Sequence, residues 1–375
     1  MPHPFFSCQR VKRPTHPVHP ARSVDATRSR FAAVRATWLP TYLLLCLLAA
    51  AGNSVASTIT DFDGAVARGL PTGLRGDLPV HETARADATR AAAIMHVDTR
   101  MPVKLVYPDS GEASLYRGKV DGYPAIFTRY ADRLDIFVNA APHSDAYNIS
   151  YAGEKTHPEV RVLTQPATSE TLGDIVLPAI KKTPASTTGD RPKAKSGIRK
   201  PPEWVFSIFV HDDAKNVALN DHLSWWIGLI EAMLPAGRTM KIDIRRDLPG
   251  ITDFAYTGGD TARKLLDWSA QVDAQFPQDE AGVNNKFLLF TDEWVSAGVG
   301  GIAHQGGDYG IASAKGHQFL AHEFGHMLKA THENAEIRYN GWWCETIMFA
   351  TALDLRSNCY DYSDANEKLI RAYLE

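Results

Sequence analysis

The stretch His322-Glu323-Phe324-Gly325-His326-Met327-Leu328-Lys329-Ala330-Thr331-His332 decides how this chain is read. Two His at i and i+4 lie on one face of a helix, one turn apart. Their imidazoles can meet on one cation, with Zn–N distances of about 2.0–2.1 Å expected. Glu323 is rotated by about 100° from His322 around the helix axis. It cannot share the ligand face, and it is free to hold a water beside the metal. A third His, His332, stands ten residues after the first. Three protein ligands leave a fourth position open for water, which marks a catalytic zinc site. Zinc lowers the pKa of such a water to about 7. Glu323 is then placed to take its proton and pass it to a leaving amine. The spacing therefore implies one Zn2+ per chain, ligated by His322, His326 and His332, with Glu323 as general base.

These residues, with Cys344-Glu345-Thr346-Ile347-Met348 downstream, resemble the metzincin metallopeptidases, whose signature is HExxHxxGxxH followed by a Met-turn. The resemblance implies that Met348 forms an apolar floor beneath the zinc without binding it. It also implies a zinc endopeptidase whose activity is held back by a residue of a proregion in the open zinc position. That residue is often Cys, but residues 57–343 contain none. A cysteine switch is excluded; an Asp or another group is left as the candidate, without a position. Two positions depart from the pattern. The family Gly falls on Lys329, where a left-handed backbone costs a non-Gly residue on the order of 1–2 kcal/mol. Ala350 stands where some members carry a Tyr, so no Tyr ligand or oxyanion donor is assigned.

Outward from the motif, Val299-Gly300-Gly301-Ile302-Ala303-His304-Gln305-Gly306-Gly307 resembles the Gly-flanked edge strand of reprolysin-like members, which pairs antiparallel with substrate. Gly301, Ile302 and Ala303 are its candidate substrate contacts, since an exposed edge accepts an extended peptide as a further strand. A plain Gly-rich hairpin reads equally well. His304 reads as a surface or subsite residue. Residues 203–375 alternate strands (204–210, 240–244, 287–291) with helices (220–234, 260–275), which predicts a mostly parallel sheet flanked by helices. With the antiparallel edge strand, an active-site helix, the Met-turn and a C-terminal helix over 365–374, the expected class is α/β or α+β, a metzincin catalytic domain. Ser363 or Asp364 is expected to cap the last helix.

Before that segment, residues 57–181 read as a small β-rich propeptide domain, with alternating runs at 103–107, 125–130, 133–138 and 160–163. Asn148-Ile149-Ser150 fits a glycosylation acceptor in a eukaryotic route. Residues 182–202 are a polar, Pro-containing linker open to trypsin-like cleavage. Residues 1–56 read as a signal region, with a basic flank, the short apolar run 42–51 and a cleavage site after Ala56. That run is shorter than the ~20 residues needed to span a bilayer. The expected location is therefore extracellular or periplasmic, with no stable membrane anchor after cleavage.

The chain has 375 residues, 44% hydrophobic and 22% charged, the composition of a globular protein. Beyond residue 56 it carries 42 acidic against 33 basic residues. A general nucleic-acid face is thus excluded, and protein or peptide substrates and a monomeric state are expected. Cys344 and Cys359 remain after the signal, and an even pair in a secreted domain reads as a disulfide worth about 3 kcal/mol. Asp212-Asp213 raises Ca2+ as a second ion, without further support, and a solvated turn accounts for the pair. Trp342, Trp343 and Phe349 read either as walls of a substrate pocket or as packing aromatics. Two alternatives stay open: a catalytically inactive peptide-binding protein on the same fold, and a thermolysin-like site with Glu345 as third ligand.

Overall fold

The computed structural model describes residues 54–77, 92–139, 146–153, 158–163, 173–178, 203–276, 284–339, 342–350 and 356–375. The linker and all but the last three residues of the expected signal region lie outside the described residues.

After helix α1 (Ser54–Arg68) and strand β1 (Thr72–Asp77), the chain runs through β2 (Ala92–Arg100), β3 (Val103–Tyr107), β4 (Gly111–Val120), β5 (Tyr123–Tyr130), β6 (Arg133–Val138), β7 (Ala146–Ala152) and β8 (Glu159–Leu163). β3 to β8 form an antiparallel meander, and β2 joins β4. The turn between β4 and β5 is Asp121-Gly122, both at positive φ, the pair a two-residue hairpin requires. Ile59 and Phe62 of α1 pack beneath this sheet with Phe127, Ile136 and Tyr151. Asn148 is fully buried in β7, so the Asn-Ile-Ser sequon is not a surface acceptor in the folded chain.

The second half contains β10 (Trp204–Val210), α2 (Asn220–Met233), β11 (Met240–Arg245), α3 (Thr261–Gln275), β12 (Asn284–Thr291), β13 (Val299–His304), β14 (Tyr309–Ser313), α4 (Phe319–Met327) and α5 (Asp364–Leu374). β11, β10, β12 and β14 run parallel, and β13 joins β14 antiparallel. The fold is mixed α/β, with a large sheet that is parallel through its centre. The sequence explains why both faces are covered. Leu288 and Phe290 of β12 enter one core with α2, α4 and α5, while Phe287 and Leu289 enter another with α3. A strand buried on both faces reads as an unbroken apolar run, as β12 does. Asp260 caps α3 by accepting from the Ala262 and Arg263 amides. Ser363, not Asp364, caps α5, accepting from the Asn366 amide at 3.2 Å. Ser363 has the extended N-cap backbone (φ −67°, ψ 158°), whereas Asp364 is already the first helical residue.

Two strands from the first half flank this sheet. β3 pairs parallel with β11, and β9 (Gly173–Leu177) pairs parallel with β13. Together they make one sheet of fourteen strands among the described residues. Val103, Leu105 and Tyr107 of β3 share a core with Phe206, Trp226 and Ile242.

Candidate metal centre

Helix α4 carries the site, and aromatic packing fixes where it lies. Phe324 stacks on Trp226 with ring centroids 4.5 Å apart and meets Phe206 edge-on at 5.3 Å. The Tyr362 hydroxyl donates to the Ala321 carbonyl at 2.7 Å. Gly325 lies one residue before His326 for a packing reason. A Cβ there would stand 2.4 Å from the Met348 sulfur, so the Gly lets fully buried Met348 lie directly under the helix. That closeness offsets the ~1 kcal/mol helix cost of Gly.

The helix ends in a Schellman motif with Lys in the Gly position. Lys329 has φ 72°. Its amide bonds the His326 carbonyl at 2.9 Å, and the Ala330 amide bonds the Gly325 carbonyl at 2.8 Å. The Lys329 stem lies against Gly306, and its ammonium stands 5.3 Å from the Tyr373 ring centroid. These contacts offset the left-handed strain. The chain then reverses. Buried Asn366 of α5 clamps Thr331, accepting from its amide at 2.8 Å and donating to its carbonyl at 2.9 Å. This fixes the segment that delivers His332.

The three imidazoles converge. Their Nε2 atoms are 3.1 Å (His322 to His326), 3.1 Å (His322 to His332) and 3.0 Å (His326 to His332) apart. His322 Nδ1 lies 2.7 Å from the Ile347 carbonyl, and His326 Nδ1 lies 3.1 Å from Gln305 Oε1. Acceptors there place the proton on Nδ1 and turn the Nε2 lone pairs inward.

A fourth donor completes the set. Asp174 of β9 brings Oδ2 to 3.2, 2.8 and 3.1 Å from the Nε2 atoms of His322, His326 and His332. Four atoms with all edges near 3 Å form a near-regular tetrahedron. Its centre lies about 1.9 Å from each corner, close to the zinc ligand distance. Three imidazoles and a carboxylate in tetrahedral array are a donor set that could hold a divalent transition-metal ion. Burial works to raise the Asp174 pKa, but the surrounding imidazoles, His322 first, outweigh it and hold the carboxyl below its ordinary range. Burial pulls His326 down to about 4.

Glu323 faces the same space from one residue along. It is buried, and its Oε2 has no partner. Burial, then the Asp174 charge, pushes its carboxyl up. Gly301 makes its room, because a Cβ there would fall 2.1 Å from Glu323 Oε1. Gly301, Ile302 and Ala303 lie on β13, paired with β14 on one side and with Asp174, Ile175 and Val176 of β9 on the other. The strand read as an edge for an antiparallel substrate is thus covered by a parallel segment of the same chain. His304 is buried, with Nδ1 3.2 Å from the Pro178 carbonyl.

Cys344 and Cys359 form a disulfide. Glu345 is buried against Arg356 and is not among the four converging groups. The Asp212-Asp213 carboxylates are held by protein partners, Asp212 by Lys215 and Asp213 by Tyr256, His211 and the Asp292 amide. Sequence reasoning missed Asp174, Gln305 and Asn366. The one signal for Asp174 is that an Asp opens the isolated apolar run Ile175-Val176-Leu177 ahead of the linker.

The fold has solved counterparts. Metalloproteinase-II from Bacteroides fragilis superposes with a TM-score of 0.56 at 13% identity, over 84% of this chain and 95% of that one. Residues 203–375 are under half of the chain, so the likeness includes part of what precedes the linker. This chain shares the overall fold of that protein. No protein-family model and no curated protein matches it by sequence. No helix among the described residues is long and apolar enough to cross a membrane.

Proposed function

We propose that this chain is a secreted zinc endopeptidase made as a zymogen, with Asp174 as the residue that holds it latent. The observation that carries the reading is the tetrahedron of three imidazole nitrogens and one carboxylate oxygen beside the unpartnered oxygen of Glu323. His322, His326 and His332 would hold the ion. Bound there, zinc supplies Lewis-acid polarisation and lowers the pKa of a water to about 7.

In the latent chain Asp174 fills the position that the water needs. β9 also lies on β13 parallel, the reverse of an antiparallel substrate, and so presents its peptide bonds in the wrong direction for attack. Cleavage within 182–202 and withdrawal of β9 would free both the position and the edge of β13. A substrate strand then hydrogen-bonds to β13. Glu323 takes a proton from the attacking water and delivers it to the leaving amine. Its buried setting, which favours the protonated carboxyl, suits that return step. Gly301 keeps the carboxylate in reach, and Met348 supports the His322–His326 turn from below. The disulfide and the apolar run before Ala56 support an oxidising, extracytoplasmic destination.

The test is metal analysis with casein hydrolysis before and after cutting the linker. The uncut chain should hold one zinc and be silent. The cut chain should cleave casein and lose that activity to a chelator. Glu323→Ala should keep zinc and lose about 10²–10⁴-fold in rate. Equal rates for this variant and its parent would refute the mechanism and leave a binding protein.

A further inference from the structure

The small sheet built from the segments on either side of Met348 is shaped like a grip. It consists of β15 (Ile337–Tyr339), β16 (Trp343–Glu345) and β17 (Ser357–Asn358). Four of the large hydrophobic side chains that stand exposed among the described residues, Ile337, Tyr339, Trp342 and Trp343, fall within it. Tyr339 and Trp343 face each other across the strands with rings 5.0 Å apart, 65% and 52% exposed. Ile337 lies on the same face, two residues from Tyr339. Apolar side chains clustered at this exposure mark an interaction surface.

The two strands β15 and β16 are also tied down and joined to the imidazole cluster. Their feet are Glu336 and Thr346, which exchange two hydrogen bonds of 3.0 and 2.9 Å. Glu336 is four residues past His332, and Thr346 is two before Met348. The Cys344–Cys359 bond ties β16 down. Arg338 locks β15 through Glu336, Asp361 and Asp364 at 3.2, 3.1 and 2.8 Å. A preorganised aromatic surface binds with little loss of side-chain entropy, and Tyr and Trp are the residues that most often anchor interfaces. Acidic groups gather at its base: Glu333, Glu336 and Asp364 are exposed and Asp361 half-buried, and Arg338 bridges the last three of these, Glu336, Asp361 and Asp364, but not Glu333. Such a charge pattern repels anionic lipid and favours a cationic partner, whose Lys or Arg can also lie over the rings.

We propose that this hairpin is a docking surface for extended protein segments that carry aromatic or aliphatic side chains next to Lys or Arg. It gives the enzyme a second hold on its substrate outside the zinc cleft. The inference rests on the peptidase reading, but the surface is exposed in the latent chain and can be tested there. The uncut full-length chain is titrated with a labelled twelve-residue peptide of Trp, Leu and Lys, and with its Glu-for-Lys counterpart. The Lys peptide should bind, the Glu peptide at least about tenfold more weakly, and Tyr339→Ser with Ile337→Ser should weaken the Lys peptide by about tenfold or more. In the cut enzyme, the same variant should lose at least tenfold more kcat/KM on casein than on a hexapeptide substrate. Unchanged peptide binding by the variant, or equal losses on casein and hexapeptide, would overturn the proposal. So would binding of the uncut chain to phosphatidylserine vesicles that the variant abolishes, which would make the hairpin a membrane contact. If the cut parent cleaves neither substrate, the peptidase reading fails, while the peptide titration still reports on the hairpin.

Discussion

Two strands from the first half of the chain flank the large sheet, one on β11 and one on β13, and they are held in different ways. β3 lies against β11 and sends Val103, Leu105 and Tyr107 into a core with Phe206, Trp226 and Ile242. β9 lies against β13 with Val176 exposed and one charged side chain, Asp174, inside the imidazole cluster. The first contact is apolar burial, which is insensitive to ligand chemistry. The second adds one carboxylate among three imidazoles to the strand ladder and to the packing of Ile175 and Leu177 against the α3 core. A chain that must be stable while latent, and must then open its cleft, can separate these tasks between two edges of one sheet.

The largest effect that would sharpen this contrast belongs to the β13 edge. Gly301→Ala places a methyl group where Glu323 Oε1 now lies. Displacing a general base by about 1 Å costs on the order of 10²-fold in rate. We expect that loss in casein hydrolysis by the cut enzyme, with zinc content and melting temperature close to the parent.

Next come paired changes on the two strands. Asp174→Ala should give the uncut chain casein hydrolysis at least about tenfold above the parent. Leu105→Ala should leave latency intact but destabilise the fold by about 2–5 kcal/mol, read by urea unfolding. If Leu105→Ala releases activity and Asp174→Ala does not, the division of tasks is the reverse of the one described.

A smaller effect concerns the place where α2 meets the start of α4. His222 is buried against Phe290 and His317, with ring centroids 5.1 and 4.8 Å apart. Burial first, then the neighbouring imidazole, lowers the His222 pKa, and burial lowers that of His317. The unfolded chain takes up these protons near the ordinary value of 6.5 and the folded chain does so only at lower pH. Stability from the neutral pair is therefore complete above pH 6.5 and falls as the pH drops below it. The melting temperature should decline from pH 7 to pH 5, and His222→Gln should flatten that slope. An unaltered slope in this variant would show that other groups carry the pH dependence.

The smallest effect is at the end of α4. Lys329→Gly removes strain of about 1–2 kcal/mol at a positive φ and also removes the contacts with Gly306 and Tyr373. We expect a net change under about 1 kcal/mol with zinc retained. Loss of zinc would mean that the Lys side chain itself positions His332.

Much of this was legible in the sequence because its determinants are local. The i, i+4 spacing of His322 and His326 places both rings on one helical face, and the apolar runs of β10 and β12 announce a sheet covered on both sides. The Cys344–Cys359 pair followed from being the two cysteines left past the signal. Asp174 was not legible, because its contact with His326 spans 152 positions and nothing in Gly173-Asp174-Ile175 distinguishes it from any short strand. Asn366 was hidden for the same reason: its role is to hold Thr331, 35 residues away. The pairing of β3 with β11 depends on which sheet edge lies open, a property of the assembled fold and not of the five residues of β3. The choice of Ser363 over Asp364 as cap was within one residue of the pattern and needed the backbone to settle it.

The most direct test is anomalous diffraction at the zinc absorption edge from crystals of the uncut full-length chain grown with one equivalent of zinc. The account predicts a single strong peak bonded to Nε2 of His322, His326 and His332 and to the Asp174 carboxylate. A chain that is latent and zinc-loaded but has its peak elsewhere, or has Asp174 turned away from it, would contradict the account.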